Sequence, residues 1–287
     1  MSHAPLKTTA LGLLCATGLM SAEPLPDKSR YHLFKPTPRA SMREMSTDRP
    51  DQTESPHTVD AGHFQVETDF VNATFDRDRS GGGDVRTRDY SVLPLNLKVG
   101  LLNNVDLQLV LDTHVNSRIE DRVASTVGEA SGFGDVQTRL KINLWGNDSG
   151  STAFAMMPFV KWPLAKSSLR NGETEGGVIF IVGCKLPGDW SSAVMTEADF
   201  VSSGIGGYDT EFVNSITFSH AIVGKLAGYL ELFTVASTAR DSRWQGQADV
   251  GFTYGLNDNT QLDFGCNFGV TKSAPDFNPF VGLSFRF

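Results

Sequence analysis

The 287-residue chain has few cysteines, a modest share of charged residues and almost no long apolar runs. Of its three cysteines, Cys15 falls in a predicted leader, and we expect Cys184 and Cys266 to be unpaired thiols rather than a disulfide. The six histidines are scattered without the spacing of metal ligands, so we expect neither a metal site nor a cofactor. The 33 acidic against 25 basic side chains argue against nucleic acid as a partner, because phosphates require a basic face.

The one apolar run, at the N-terminus, predicts export from the cytoplasm. Lys7 precedes an uncharged stretch, residues 8–22, which is too short to span a bilayer and is typical of a Sec signal peptide comprising residues 1–22. Leu14, directly before Cys15, disfavours the alternative of a lipoprotein. No later stretch approaches about 18 apolar residues, so the mature chain is either periplasmic or inserted into the outer membrane as a barrel.

The last forty-odd residues alternate between apolar and polar side chains with a period of two, which predicts strands with one apolar face. The apolar phase comprises Trp244, Gly246, Ala248, Val250, Phe252, Tyr254 and Leu256, then Leu262, Phe264, Cys266, Phe268 and Val270, then Phe277, Pro279, Val281, Leu283, Phe285 and Phe287. Runs of this length suit tilted membrane strands of about 9 to 11 residues better than soluble strands of about five or six. The terminal Phe287 resembles the insertion signal of bacterial outer-membrane barrels, so we expect barrel-assembly machinery and membrane lipid as partners.

The alternation extends upstream and predicts twelve strands. They are residues 62–75, 88–101, 104–116, 134–145, 151–164, 176–186, 189–202, 208–220, 225–237, 243–256, 259–270 and 277–287. Connections after even-numbered strands are short and those after odd-numbered strands are mostly long, which is typical of outer-membrane barrels with both termini periplasmic. We therefore predict an all-β fold: a transmembrane antiparallel up-and-down β-barrel over residues 62–287, preceded by an irregular periplasmic segment, residues 23–61. Counts of ten or fourteen strands stay open.

A run directly before the first strand carries a family resemblance. Residues 46–59 read Ser-Thr-Asp-Arg-Pro-Asp-Gln-Thr-Glu-Ser-Pro-His-Thr-Val and are followed by Gly62 and by Gln65-Val66-Glu67. With residues 93–95, 100–101, 105–107 and 132–136, they resemble the outer-membrane transporter family named for the MetA pathway of phenol degradation. The resemblance covers about residues 46–287. It implies a barrel that passes small hydrophobic solutes, including aromatic compounds, and it supplies no catalytic residues.

The polar phase of the strands is expected to face the barrel lumen. Its acidic members are Glu67, Asp69, Asp106, Asp112, Asp135, Glu197, Asp199, Glu211, Glu231, Asp249 and Asp263, and its basic members are Lys98, Arg139, Lys141, Lys161, Lys185 and Arg286. Buried charges of both signs must pair or be hydrated, so many of them can serve as structural ladders across the interior. The acidic excess predicts a narrow, negative pore that favours cations or neutral solutes over anions.

The segment before the first strand is a candidate plug. Our hypothesis is that residues 47–58 fold into the periplasmic mouth, with Asp48, Arg49, Asp51 and Glu54 pairing with lumen charges. The alternative is an unfolded leader that serves only chaperone handling.

Two other functional classes fit the sequence less well than a channel does. A lipid-hydrolysing barrel enzyme is disfavoured, because Ser219-His220 is the one adjacent Ser-His pair after the predicted signal peptide and no Gly-x-Ser-x-Gly sequence occurs. A structural or adhesive barrel would have large loops, whereas the longest predicted loop spans residues 117–133. The sequence therefore predicts a non-enzymatic outer-membrane channel for the passive passage of small solutes in a Gram-negative-type bacterium.

Overall fold

The computed structural model describes residues 27–165, 169 and 172–287. The predicted signal peptide, residues 1–22, lies outside these described residues. Helix is limited, in the described part, to two short 3-10 turns, Arg39–Ser41 and Ser80–Gly82. None of the described helical segments is long and apolar enough to cross a membrane.

The strands of the described residues form one antiparallel sheet of fifteen segments. In chain order they are β1 (Phe64–Asp78), β2 (Val85–Val92), β3 (Leu95–Leu102), β4 (Val105–Leu111), β5 (His114–Asp121), β6 (Thr126–Gly132), β7 (Val136–Trp145), β8 (Thr152–Trp162), β9 (Glu175–Lys185), β10 (Trp190–Ser202), β11 (Tyr208–Val223), β12 (Leu226–Ser237), β13 (Gln245–Asn257), β14 (Thr260–Gly269) and β15 (Phe277–Arg286).

The sheet closes on itself, because β15 pairs with β1 from Gln65↔Arg286 to Phe75↔Phe277. β2 with β3, β4 with β5 and β6 with β7 each form one interrupted barrel strand, and the result is a closed barrel of twelve strands. The predicted all-β fold and strand number are thus confirmed. The tight turns around residues 103–104, 146–151, 186–189, 224–225 and 258–259 lie together at one end, which we call the short-turn end.

Three adjacent barrel strands are interrupted at the same height, which the sequence did not predict. Leu93 has a positive φ of 52° before Pro94, which cannot donate a backbone hydrogen bond. The Thr113 hydroxyl donates instead to the carbonyl oxygens of Val92 and Leu93, at 2.6 and 2.8 Å. Beyond this break the predicted loop 117–133 is largely a hairpin, because β5 pairs with β6 from Val115↔Gly132 to Asp121↔Thr126.

The two faces of the barrel differ as expected for a wall between lipid and water. Leu107, Leu230 and Phe264 are 37%, 59% and 48% exposed on the outside, whereas the charged Lys141 and Asp263 are fully buried inside. Trp145 and Trp190 near the short-turn end, and Trp162 near the opposite end, are exposed at strand ends where aromatic belts lie. Cys184 and Cys266 are free thiols, as predicted.

One sector of the interior is apolar, contrary to the expectation that the apolar phase points outward throughout. A buried cluster on the inner face of β8 to β11 consists of Ala155, Met157, Phe159, Ile179, Ile181, Met195 and Val213. On β9 both faces are apolar, because Phe180 and Val182, which alternate with the inner Ile179 and Ile181, are exposed outside. The interior therefore has an apolar sector beside a strongly polar one.

Glycine on β13, a strand of the polar sector, makes room for an inward aromatic ring. A methyl group added at Gly251 would lie 2.5 Å from Tyr229 Cε1 and 2.8 Å from the Phe264 carbonyl oxygen. Gly255, on the same face of β13, has no atom closer than Lys225 Cβ at 3.7 Å. Tyr229 thus fills space that a side chain at Gly251 would need.

We expect Gly251→Ala to destabilise the folded barrel by about 1–3 kcal/mol, because overpacking forces the ring and backbone apart. Gly255→Ala is the matched control and should have little effect. The midpoint of heat-induced loss of the compact form on denaturing gels measures the difference. Equal midpoints for the two variants would contradict the packing described here.

Candidate functional site inside the barrel

Residues 43–61, which we call the inner segment, lie inside the barrel. Asp48 contacts side chains of β1, β3 and β7, whereas Gln52 contacts side chains of β12 and β13. A segment that bonds to strands on opposite sides of a closed cylinder must lie within it. The inner segment has no core of its own and is held by hydrogen bonds and ion pairs to polar groups of the wall.

Asp48 connects the inner segment to several charged side chains of the barrel wall. Its carboxylate pairs with both Lys98 and Lys141 and accepts a hydrogen bond from Gln108 Nε2 at 3.3 Å. Its backbone N–H donates to Glu67, 3.1 Å from Oε2. Burial alone would raise the pKa of Asp48, but the positive charges of Lys141 and Lys98 hold it well below its usual range.

Arg49 binds two acidic residues of the neighbouring wall. Its Nη2 atom lies 2.5 Å from Asp69 Oδ1 on β1 and 2.6 Å from Asp263 Oδ1 on β14. The guanidinium carbon is 5.7 Å from the centre of the Phe280 ring. Together these contacts hold one cation between two carboxylates.

The next residues of the inner segment donate hydrogen bonds to the acidic side chains of β12 and β13. The backbone N–H groups of Gln52 and Thr53 donate to the two oxygens of Glu231, at 2.8 and 2.7 Å. Gln52 Nε2 donates to Asp249 Oδ2 at 2.8 Å, and the Thr53 and Ser215 hydroxyls are 2.6 Å apart. The wall acids here accept hydrogen bonds from backbone and amide groups rather than pairing with a base.

Two carboxyls of the inner segment lie in unfavourable surroundings. Glu54 pairs with Arg139 of β7, but enclosure and the charge of Asp48 raise the pKa of Glu54 to about 7. Enclosure, reinforced by the charges of Asp48 and Asp249, raises the pKa of Asp51 to about 7 as well. The docked segment therefore binds protons more readily than the free segment would.

A second ionic cluster ties the chain to the short-turn end. Asp60 is fully buried, and it lies 3.4 Å from Arg286 Nη1 and 3.6 Å from Arg43 Nη2. Asp148, in the turn between β7 and β8, pairs with Lys28 at 2.7 Å and with Arg43 at 3.0 Å. These contacts fix both ends of the inner segment at the rim.

The sequence profile of a known family matches residues 47–287, which is most of the chain. Its description is "Putative MetA-pathway of phenol degradation". The chain belongs to this family. The match begins within the inner segment, so the family profile includes the residues that bond to the lumen wall as well as the barrel.

Solved structures resemble the family member described here at low sequence identity. The COG4313 outer membrane channel from Pseudomonas putida F1 is 14% identical, with 84% of this chain and 100% of that chain covered and a TM-score of 0.61. The translocator domain of the autotransporter NalP from Neisseria meningitidis is 12% identical, with 78% and 88% covered and a TM-score of 0.50. At these identities the likeness shows the fold alone, an outer-membrane-type barrel. No curated protein matches the chain.

Many of the predicted lumen residues come together on the inner segment. Those that bond to it directly are Glu67, Asp69, Lys98, Asp106, Arg139, Lys141, Glu231, Asp249, Asp263 and Arg286. Each lies on the polar phase of its strand, which is the signal that identified it. The four charged residues predicted for the candidate plug all lie inside the barrel: Asp48, Arg49 and Glu54 pair with lumen charges, whereas Asp51 lies near the like charges of Asp48 and Asp249 and forms no ion pair within the described residues.

The other predicted lumen residues lie elsewhere. Lys161 pairs with Glu175 at 2.8 Å and is 3.7 Å from Asp135, near the end opposite the short turns. Asp112, Glu197, Asp199 and Glu211 also lie toward that end, and Lys185 is exposed at the short-turn end of β9. Sequence reasoning missed Arg43, Asp60 and Asp148, because these three residues lie outside the strands' alternation and their partners are up to 226 residues away in the chain.

The inner segment leaves two cavities beside it near the short-turn end. One, of about 440 Å³, lies against β8 to β11 and is lined by hydroxyls including those of Ser192, Thr217 and Ser219. The other, of about 920 Å³, lies between residues 39–45 and the turns around 224–225 and 258–259. Space for water and small solutes therefore exists on both sides of the segment.

Removing one cation from the Asp48 cluster should loosen the inner segment. We expect Lys141→Met to weaken docking by about 3–5 kcal/mol, because it leaves a buried carboxylate with incomplete pairing. Bilayer recordings should show a larger fraction of time in conducting states. Lys161→Met, at a side chain that is 37% exposed, is the control and should behave as wild type. Equal behaviour of both variants would argue against a docking role for the cluster.

The position of the inner segment should depend on pH through Asp51. Its docked pKa of about 7 lies above the ordinary value of 3.8, so protonation favours docking, and this stabilisation is lost as pH rises from about 4 to about 7. We expect conductance to increase across that range. Asp51→Asn should flatten the increase, whereas Asp258→Asn on an exposed turn should not. The expectation fails if the Asp51→Asn profile matches wild type.

Proposed function

We propose that the protein is an outer-membrane channel for the passive passage of small solutes, in which the inner segment acts as a plug. The observation that carries this proposal is the ring of contacts from Asp48, Arg49, Gln52 and Thr53 to strands around a closed twelve-stranded barrel. Such a segment obstructs the axis along which solutes would pass. The proposed location is the outer membrane of a Gram-negative-type bacterium, with lipid around the barrel.

The chemistry of docking supports a plug that can be withdrawn. The contacts between the inner segment and the polar sector of the wall are ion pairs and hydrogen bonds, which water can replace when the segment leaves. A packed apolar interface would instead lose hydrophobic stabilisation on exposure. The wall also retains its ladder hydrogen bonds without the segment, because the twelve barrel strands bond to one another.

The interior suggests which solutes would pass. The apolar sector, including Ile179, Ile181 and Met195, provides a surface for solutes with an apolar or aromatic part. The opposite wall carries more acids than bases, which favours neutral or cationic solutes over anions. Passage of small aromatic compounds is therefore part of the proposal.

The positions of Ser219 and His220 bear on the alternative of an enzyme. Ser219 and His220 are successive strand residues, whose side chains point to opposite faces, and His220 Nε2 lies 3.1 Å from the Gly188 carbonyl oxygen. This arrangement does not form a Ser-His catalytic pair, so we propose a non-enzymatic role.

The C-terminal aromatic ring bears on barrel assembly. The Phe287 ring stacks on the Phe64 ring, with 5.7 Å between their centres, beside the pair of strands that closes the barrel. This position is suited to recognition by barrel-assembly machinery.

Deletion of residues 46–58 tests the plug directly. We expect single-channel conductance to rise several-fold, because the segment that fills the lumen is gone, and liposome swelling with small sugars and aromatic compounds to accelerate. Retention of the heat-modifiable folded form shows that the barrel itself is intact. Unchanged conductance would overturn the plug proposal.

An engineered disulfide that can be formed and reduced provides a matched control within one protein. In a chain with Cys184→Ser and Cys266→Ser, Thr53→Cys and Ser215→Cys replace hydroxyls that are 2.6 Å apart. Oxidation should tether the inner segment to β11 and suppress opening, and reduction should restore wild-type currents. Identical currents in the oxidised and reduced states would show that the segment need not move for conduction.

A further inference from the structure

Arg49 is seated in a cradle that belongs to the barrel wall. Asp263 on β14 is the register partner of Gly282 on β15, and Gly282 is the partner of Asp69 on β1. The three residues form a row across adjacent strands in the order acid, glycine, acid. The guanidinium of Arg49 lies over the glycine, with Nη2 2.5 Å from Asp69 Oδ1 and 2.6 Å from Asp263 Oδ1.

The cradle is shaped for a flat cation. A methyl group added at Gly282 would collide with Arg49 Nη2 and would lie 2.5 Å from the Thr68 carbonyl oxygen of β1, so the missing side chain leaves space that both the guanidinium and the neighbouring strand use. Arg49 Nε also faces Asp263 Oδ2, at 3.4 Å, which gives this pair a two-pronged geometry. The Phe280 ring, two residues before Gly282 and on the same face, lies 5.7 Å from the guanidinium carbon.

The charges of the cradle require a cation. The side chains of Asp263 and Asp69 are 0% and 5% exposed, and their ion pairs within the described residues are both to Arg49. If the inner segment leaves, two enclosed carboxylates remain on either side of a glycine without a counter-charge. Such a pair attracts cations, and its fork-like oxygens and adjacent ring suit guanidinium better than a spherical ion.

We propose that the row of Asp69, Gly282 and Asp263 is a binding subsite for small solutes that carry a guanidinium group. Arg49 occupies this subsite while the inner segment is docked. The inference rests on the proposed function, since a solute reaches the row only after the segment has left. A guanidinium solute therefore competes with Arg49 and favours the open channel.

Binding to the chain without residues 46–58 tests the subsite. We expect calorimetry to detect binding of L-arginine and much weaker binding of L-citrulline. Citrulline has the same charged α-amino and α-carboxylate groups as arginine, but its side chain ends in a neutral group. Asp263→Asn in the same background should weaken arginine binding about tenfold, because it removes a charged partner. Gly282→Ala should do so without changing charge, by filling the cradle.

The outcomes separate this inference from the plug. Equal binding of arginine and citrulline, or arginine binding unaffected by both Asp263→Asn and Gly282→Ala, would overturn the subsite. Unchanged conductance of the deletion variant would overturn the plug, while the calorimetry still reports on the cradle. For each variant the heat-modifiable folded form confirms that an intact barrel is being measured, and Asp69→Asn, which removes the other carboxylate, keeps the test available if Asp263→Asn or Gly282→Ala does not fold.

Discussion

The interior of this barrel is organised by the need to pair charges that a closed wall removes from bulk water. Lys98 and Lys141 are almost fully enclosed, and the carboxylate of Asp48 lies between them. Lys98 also pairs with Glu67 of the wall, but the ion pair of Lys141 within the described residues is to Asp48, and burying this lysine without an anion would cost several kcal/mol. The wall thus requires a partner at this place, and the inner segment provides it.

The alternation of apolar and polar side chains along the strands explains why the barrel interior is occupied by the inner segment. The period of two that places Leu107 outside also places Asp106 and Gln108 inside, so on strands with this alternation an apolar outer face comes with a polar inner face. The inner segment satisfies this interior with backbone N–H groups, an amide and one arginine. Proton uptake by Asp51 and Glu54 then offsets part of the negative charge that the segment adds.

The sequence predicted most of the fold, because membrane strands are long and regularly alternating. It also predicted that Asp48 and Arg49 would meet lumen charges. The break at Leu93-Pro94 and the β5–β6 hairpin were missed, since a local kink leaves the alternation on either side intact. The apolar inner face of β9 was missed because residues 178–182 are apolar on both phases, so periodicity could not identify the inner one. Asp60, Arg43 and Asp148 lie in irregular segments, where only the folded structure brings partners together.

Hydrogen bonds to the wall hold an irregular segment inside the barrel. Backbone amide hydrogen exchange of the purified protein in detergent measures this docking, because the Asp48, Thr53 and Val59 N–H groups donate to Glu67, Glu231 and Asp106. These amides should exchange far more slowly than those of a free peptide of residues 46–59, despite lying outside the strands. Exchange at the rate of the free peptide would contradict the account.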